Sequence, residues 1–306
     1  IRDWDWDVLV DIGGLRSRFP DRALPPGGHI ERVLAPAYAE LPENFTPLQL
    51  VRARHGAVPY QQCDEFRQLR EWAMMTADAA APSQRGRSGD IAVAVVTGAG
   101  GSGKTRLAAQ LCHDLSSIGW YAGFLPSTVD VTDEELSALA EVTTELLVVV
   151  DYAEEARRGL VARVVRKLRA RQSPTRIVLT ARGADAWWEE FREEAEQDGT
   201  PLSNTLSLSI RGKQQVERDP WFFGRMYRRA VQQFSDKLNK AVPTDVEVPD
   251  YLGDTALDVV LRAWLAVCGD NDAAERAMPT REELYDRVLS IEFARWRQEP
   301  ILEEIS

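Results

Sequence analysis

The chain has 306 residues, 44% hydrophobic and 28% charged, the balance of a soluble globular protein with room for two domains. It contains no stretch near the ~20 apolar residues that span a bilayer, and no secretory leader pattern. A net charge of −11 argues against nucleic acid as the main partner, a local basic groove aside.

The three cysteines (Cys63, Cys112, Cys268) are odd in number and far apart, which points to a reducing, cytoplasmic setting without a disulfide frame. The histidines (His29, His55, His113) are scattered, with no pair at metal-ligand spacing. Cys112 and His113 are adjacent on an expected helix, where neighbours face different ways, so they read as packing. The chain opens on Ile1 rather than Met, which reads as a piece of a longer protein.

Taken in order, DWDWDVLVDI alternates acidic and apolar residues, predicting a short strand with Trp4 and Trp6 on one face. Pro20, Pro25, Pro26, Pro36, Pro42, Pro47 and Pro59 then interrupt the chain, so residues 1–56 read as linker or irregular packing. Residues 63–80 place Phe66, Leu69, Trp72 and Ala73 at helical spacing, and 82–90 read as a loop. From residue 91, strands alternate with helices. IAVAVVT (91–97), WYAGFL (120–125), LLVVVD (146–151), RIVLTAR (176–182) and TLSLSI (205–210) are the expected strands. The helices between them start with 105–119, where Leu107, Leu111, Leu115 and Ile118 share one face. They continue with 133–141, with 159–171 carrying a basic outer face, and with 185–197. Apolar strands between amphipathic helices predict a parallel sheet covered on both faces. After about residue 212 only helices are expected, over 219–238, 254–269 and 280–296.

The chemistry begins at VTGAGGSGKTRL. Gly98 to Thr105 fit the phosphate-loop pattern G-x-x-x-x-G-K-[ST], with a buried strand before and a helix after. Backbone N–H groups must close around phosphates, so Gly98, Gly100, Gly101 and Gly103 remove side chains and permit unusual backbone angles. The helix N-terminus adds partial positive charge. Lys104 is expected on the outer phosphates, the Thr105 hydroxyl on Mg²⁺, and Ser102 and Arg106 within the cofactor-binding set. Asp151 ends a strand of pure Leu and Val, where a carboxylate is a poor choice unless it serves the metal; a helix cap is the structural alternative. Glu154, with Glu155 second, is the candidate to polarise an attacking water. Arg182 ends the fourth strand, at the edge where ligands bind in such sheets, and is the candidate to reach a γ-phosphate; a salt bridge to the following helix is the alternative. The fold read from these residues is α/β: a three-layer P-loop NTPase with a parallel five-stranded sheet over 57–212, followed by a helical domain over 213–306.

Other P-loop classes lack their signatures here. The guanine-reading Asn-Lys-x-Asp element is approached only by Asn239-Lys240-Ala241-Val242, without the aspartate, and no LSGGQ-like signature or arginine-rich lid occurs. VVTGAGGSGKTRLA, LLVVVDYAEE and RIVLTARGADAWW together resemble the STAND class of ATPases, the group that includes NB-ARC-type switches and bacterial signalling NTPases. Thr180 and Arg182 fall on its Thr-x-Arg, and Trp187-Trp188 on a tryptophan pair of the bacterial group, a pair that also reads as plain packing. LREWA (69–73) and VLSIEFARW (288–296) are weaker flanking echoes. Two departures stand out: Gln62 and Cys63 replace a Gly-Arg pair near the base, and Gly253 lacks the proline of a Gly-x-Pro contact to ADP.

The resemblance implies a cytoplasmic switch that binds ATP or ADP with Mg²⁺, hydrolyses slowly and regulates an effector in bacterial signalling or defence. It also implies an upstream effector, with residues 1–56 as its tail or linker, a downstream sensor (often of tetratricopeptide repeats) and an ATP-dependent homo-oligomer, with no membrane partner. The alternatives from other classes are a continuously cycling AAA-like or metabolic ATPase and a non-hydrolysing nucleotide-binding scaffold.

Overall fold

The computed structural model describes residues 33–75, 91–126, 131–154, 158–197, 202, 205–242, 248–249, 251–269 and 280–298. The expected strand at Trp4 and Trp6, Pro20, Pro25, Pro26, His29, the loop over 82–90 and Glu155 lie outside them. Among the described residues the chain forms two compact units, 33–40 with 60–211 and 41–59 with 212–298.

The first unit is an α/β sheet domain. Helix α1 (Asp64–Met74) precedes β1 (Ile91–Thr97), α2 (Lys104–Ser116), β2 (Tyr121–Phe124), α3 (Asp133–Ala140) and β3 (Leu146–Val150). Then come α4 (Arg158–Leu168), β4 (Thr175–Ala181), α5 (Asp185–Gln197) and β5 (Leu206–Ser209). The strands form one five-stranded parallel sheet in the order β2-β3-β4-β1-β5. Alternate side chains point to opposite faces. Val93, Val95, Val148, Leu179 and their neighbours therefore join one core with Leu136 of α3, Val164 of α4 and Trp188 of α5. Ala94, Val96, Val149 and Val178 join a second core with Leu69 of α1 and Leu111 of α2. A sheet covered on both faces has no polar side, which is why β1 and β3 are apolar runs. Trp187 and Trp188 are buried against Phe191, and the Trp187 indole donates to the Gly183 carbonyl at 2.8 Å, so the pair packs the core.

Two helical readings need correction. Helix α2 stops at Ser116, and Gly119 turns the chain at φ 100°, so Ile118 is 53% exposed instead of extending the buried stripe. Helix α4 stops at Leu168, and Arg171, expected on its basic outer face, is buried. Its guanidinium donates to the carbonyls of Leu139 (2.9 Å), Thr144 (2.6 Å) and Val142 and to Thr175 Oγ1 (2.9 Å). The planar fork supplies several donors at once to a loop that has no ladder partner. Part of the remaining basic face is turned to α3, where Arg163 lies 2.8 Å and Lys167 3.6 Å from Asp133.

The second unit is helical. Short 3-10 turns at Pro47–Val51 and Ala53–His55 accompany α6 (Gly212–Arg218), α7 (Phe222–Lys237), α8 (Ala256–Cys268) and α9 (Arg281–Gln298). Helix α6 was absent from the expected set. The Asn239-Lys240 pair follows α7, with Asn239 at φ 52° and Lys240 Nζ donating to the Val267 carbonyl at 2.8 Å. Gly253 has a local structural role: at φ 102°, a Cβ there would sit 2.4 Å from that of Asp258. Asp258 is buried, accepts from the backbone N–H groups of Asp254 (3.2 Å) and Thr255 (3.0 Å), and completes the capping box of α8.

Candidate functional site

Strand β1 delivers the chain into the glycine loop, and Lys104 and Thr105 are the first residues of α2. Gly103 caps that helix at φ 101°, a left-handed conformation open to glycine at little cost. A Cβ on Gly98 would meet Ser102 Oγ at 2.6 Å and the Ile210 carbonyl at 2.7 Å, so the loop closes only around a bare backbone. Gly101 turns at φ 77°, and Gly100 faces open space. Lys104 is buried, with Nζ donating to the carbonyls of Gly98 (2.8 Å) and Ala99 (3.1 Å). Ser102 Oγ is buried without a hydrogen-bond partner among the described residues. A cation folded onto its own loop beside an unsatisfied hydroxyl suits a site built for an incoming anion.

Because β4 lies between β1 and β3, its C-terminal residues border both strand ends. Asp151 follows β3, and its carboxylate accepts from the Thr105 hydroxyl at 3.0 and 3.2 Å. It also accepts from the Thr180 hydroxyl of β4. Tyr152 next to it has φ 55°, uncommon for a bulky residue. The turn is docked onto β4: Tyr152 N–H donates to Thr180 Oγ1 (3.2 Å), Ala153 N–H to the Thr180 carbonyl (2.8 Å), and Arg182 N–H to Glu154 Oε2 (2.9 Å). Thr105 and Asp151 thus present a hydroxyl and a carboxylate, the hard oxygen donors that Mg²⁺ takes. Among the described residues no group of three or more His, Cys, Asp or Glu could hold a metal by itself. This pair fits an ion that completes its shell with phosphate and water.

The structure therefore brings together Lys104, Thr105, Asp151, Glu154 and Arg182 at one edge of the sheet, with Arg182 exposed. Arg106 is turned to an aromatic pair. Its guanidinium lies 4.7 Å from the Tyr38 ring centre and 5.6 Å from that of Tyr60, and donates to Tyr38 Oη. Tyr38 in turn donates to Gln110 Oε1 at 2.8 Å, and burial pushes the Tyr60 hydroxyl well above the ordinary phenol value. Tyr38 and Tyr60 lie outside the site residues that the sequence suggests, and Thr180 enters there only through the Thr-x-Arg resemblance. The signal for Thr180 is a hydroxyl near the end of the otherwise apolar run IVLTA.

Residues 70–194 match the family model described as Novel STAND NTPase 5. The matched stretch holds the glycine loop, Asp151, Glu154, Thr180 and Arg182. No curated protein matches the chain. Among solved structures, the chain is similar to the ORC2 protein of Aeropyrum pernix in its ADPNP–ADP complexes, at 14% identity over 79% of this chain and 71% of that one, with a TM-score of 0.43. It is also similar to PCH-2 of C. elegans (13% identity, 84% and 68% covered, TM-score 0.40). A third is AMPPCP-bound DnaA from Aquifex aeolicus (12% identity, 78% and 71% covered, TM-score 0.38).

Proposed function

We propose that this chain, whose residues 70–194 match the family model Novel STAND NTPase 5, works as an ATP-dependent switch that hydrolyses slowly and regulates an effector in bacterial signalling or defence. The observation that carries this reading is the convergence of Thr105 and Thr180 on the Asp151 carboxylate, beside Lys104 at the mouth of the glycine loop. In this reading, backbone N–H groups from Gly98 to Thr105 and the start of α2 cradle the phosphates. Lys104 exchanges its two loop carbonyls for phosphate oxygens. Thr105 and Asp151 hold Mg²⁺, which when bound neutralises charge on the phosphates. Glu154 accepts the proton of the attacking water, and the Arg182 guanidinium stabilises charge on the γ-phosphate.

One oxygen of the Glu154 carboxylate is anchored on the Arg182 backbone N–H, which fixes the side chain while its other oxygen keeps lone pairs for a proton from the attacking water. A switch requires slow hydrolysis, because its signal lasts only as long as the γ-phosphate stays attached. The upstream effector, downstream sensor, ATP-dependent homo-oligomer and cytoplasmic setting belong to this proposal. Its test is small-angle scattering and mass measurement on the full-length protein in ADP and in a non-hydrolysable ATP analogue. A monomer in ADP and a changed shape or mass with the analogue support it. Identical profiles with rapid turnover favour a continuously cycling ATPase.

A further inference from the structure

We propose that Thr180 is a positioning residue that fixes the Asp151 carboxylate, and the left-handed turn behind it, for the Mg²⁺-bound nucleotide. The proposal rests on the reading above that Asp151 serves the metal. A threonine hydroxyl has one proton to give and two lone pairs to offer. Tyr152 N–H occupies Thr180 Oγ1 as a donor at 3.2 Å, so the hydroxyl proton is directed to Asp151 Oδ1. Thr105 donates to the same carboxylate from the opposite direction in sequence, 46 positions before it. One aspartate is thereby pinned between the glycine loop and β4.

The backbone of Thr180 extends the same function. Its carbonyl accepts from Ala153 N–H at 2.8 Å, so side chain and main chain hold consecutive residues of one turn. That turn includes Tyr152 at φ 55°, a conformation that persists only where its surroundings impose it. Thr180 is fully buried, so no solvent hydroxyl replaces the side chain when it is removed. Its β-branched side chain is restricted about χ1, which aims Oγ1 at a fixed point. Serine keeps the hydroxyl and loses part of that restriction; valine keeps the shape and loses the hydroxyl.

The test is binding of a fluorescent ATP analogue to the full chain, titrated with Mg²⁺, beside binding without Mg²⁺ and a melting curve. Thr180→Val should raise the Mg²⁺ midpoint about tenfold, the effect of losing a partner behind a metal ligand. It should leave metal-free binding unchanged, and Thr180→Ser should stay near wild type. In an Asp151→Asn background, Thr180→Val should add no further shift, because its route to the metal is already gone. A valine midpoint that does not move while Asp151→Asn moves it overturns the proposal. So does an equal added shift in the Asp151→Asn background, which marks a general structural role. If Asp151→Asn itself leaves the midpoint unmoved, the metal assignment fails and this proposal falls with it. Should the valine variant melt below assay temperature, Thr180→Ala is read against the same outcomes.

Discussion

Glu154 Oε2 accepts a hydrogen bond from the backbone N–H of Arg182 at 2.9 Å, which ties the turn after β3 to the end of β4. The acceptor is a side chain and the donor is main chain, so the two residues can be tested independently. Glutamine retains a carbonyl oxygen that accepts the same N–H bond but lacks a basic carboxylate. Glu154→Gln should therefore keep nucleotide affinity and cut hydrolysis by about 10²–10⁴-fold. Paired binding and turnover assays check this, and unchanged turnover would remove Glu154 from the mechanism.

Arg182→Ala deletes the guanidinium and leaves the N–H bond to Glu154 in place. An arginine that meets only the γ-phosphate is indifferent to ADP. The variant should weaken ATP about tenfold, the worth of one charge-assisted hydrogen bond, and spare ADP. Isothermal titration with both nucleotides decides; parallel losses would mark a structural role.

Lys104→Ala removes the ammonium that now rests on the Gly98 and Ala99 carbonyls. We expect affinity for ATP to drop about 100-fold, two charge-assisted bonds' worth. In the unaltered protein a competition titration should favour ATP over GTP, because Asn239-Lys240 follows a helix and is not succeeded by the guanine-reading aspartate. Equal affinity for GTP would contradict the base assignment.

Arg171→Met should destabilise the sheet domain by about 1–3 kcal/mol, since it removes a charged donor from the buried Leu139 carbonyl and the part-buried Val142 and Thr144 carbonyls. Chemical denaturation measures the change. Arg171→Lys should recover little of it, because one ammonium cannot match the fork. A methionine variant as stable as wild type would show that the loop is held by other means.

The sheet was legible in the sequence because strands buried on both faces must be apolar throughout, and IAVAVVT and LLVVV satisfy that in a continuous run. The glycine loop was legible for a similar reason, since its backbone excludes a Cβ at Gly98 and needs a left-handed residue at Gly103. What local pattern does not carry is the partner across the fold. Arg171 continues the period of α4 in RKLRAR, and nothing within that helix indicates that carbonyls of the last turn of α3 and of the loop after it accept from its guanidinium. Thr180 finds Asp151 29 positions away, and Tyr38 meets Arg106 68 positions on, through register and packing that no short window contains. Strand order has the same character: the apolar runs give five strands, but only pairing places β4 between β1 and β3.

The most direct test of a slow ATP switch is steady-state ATP turnover by the full-length protein with saturating Mg²⁺. A slow switch should show measurable, magnesium-dependent hydrolysis far below the ~10 s⁻¹ median of enzymes. A sustained rate at or above that value would contradict it, because the γ-phosphate would then be lost faster than a switch can hold its state.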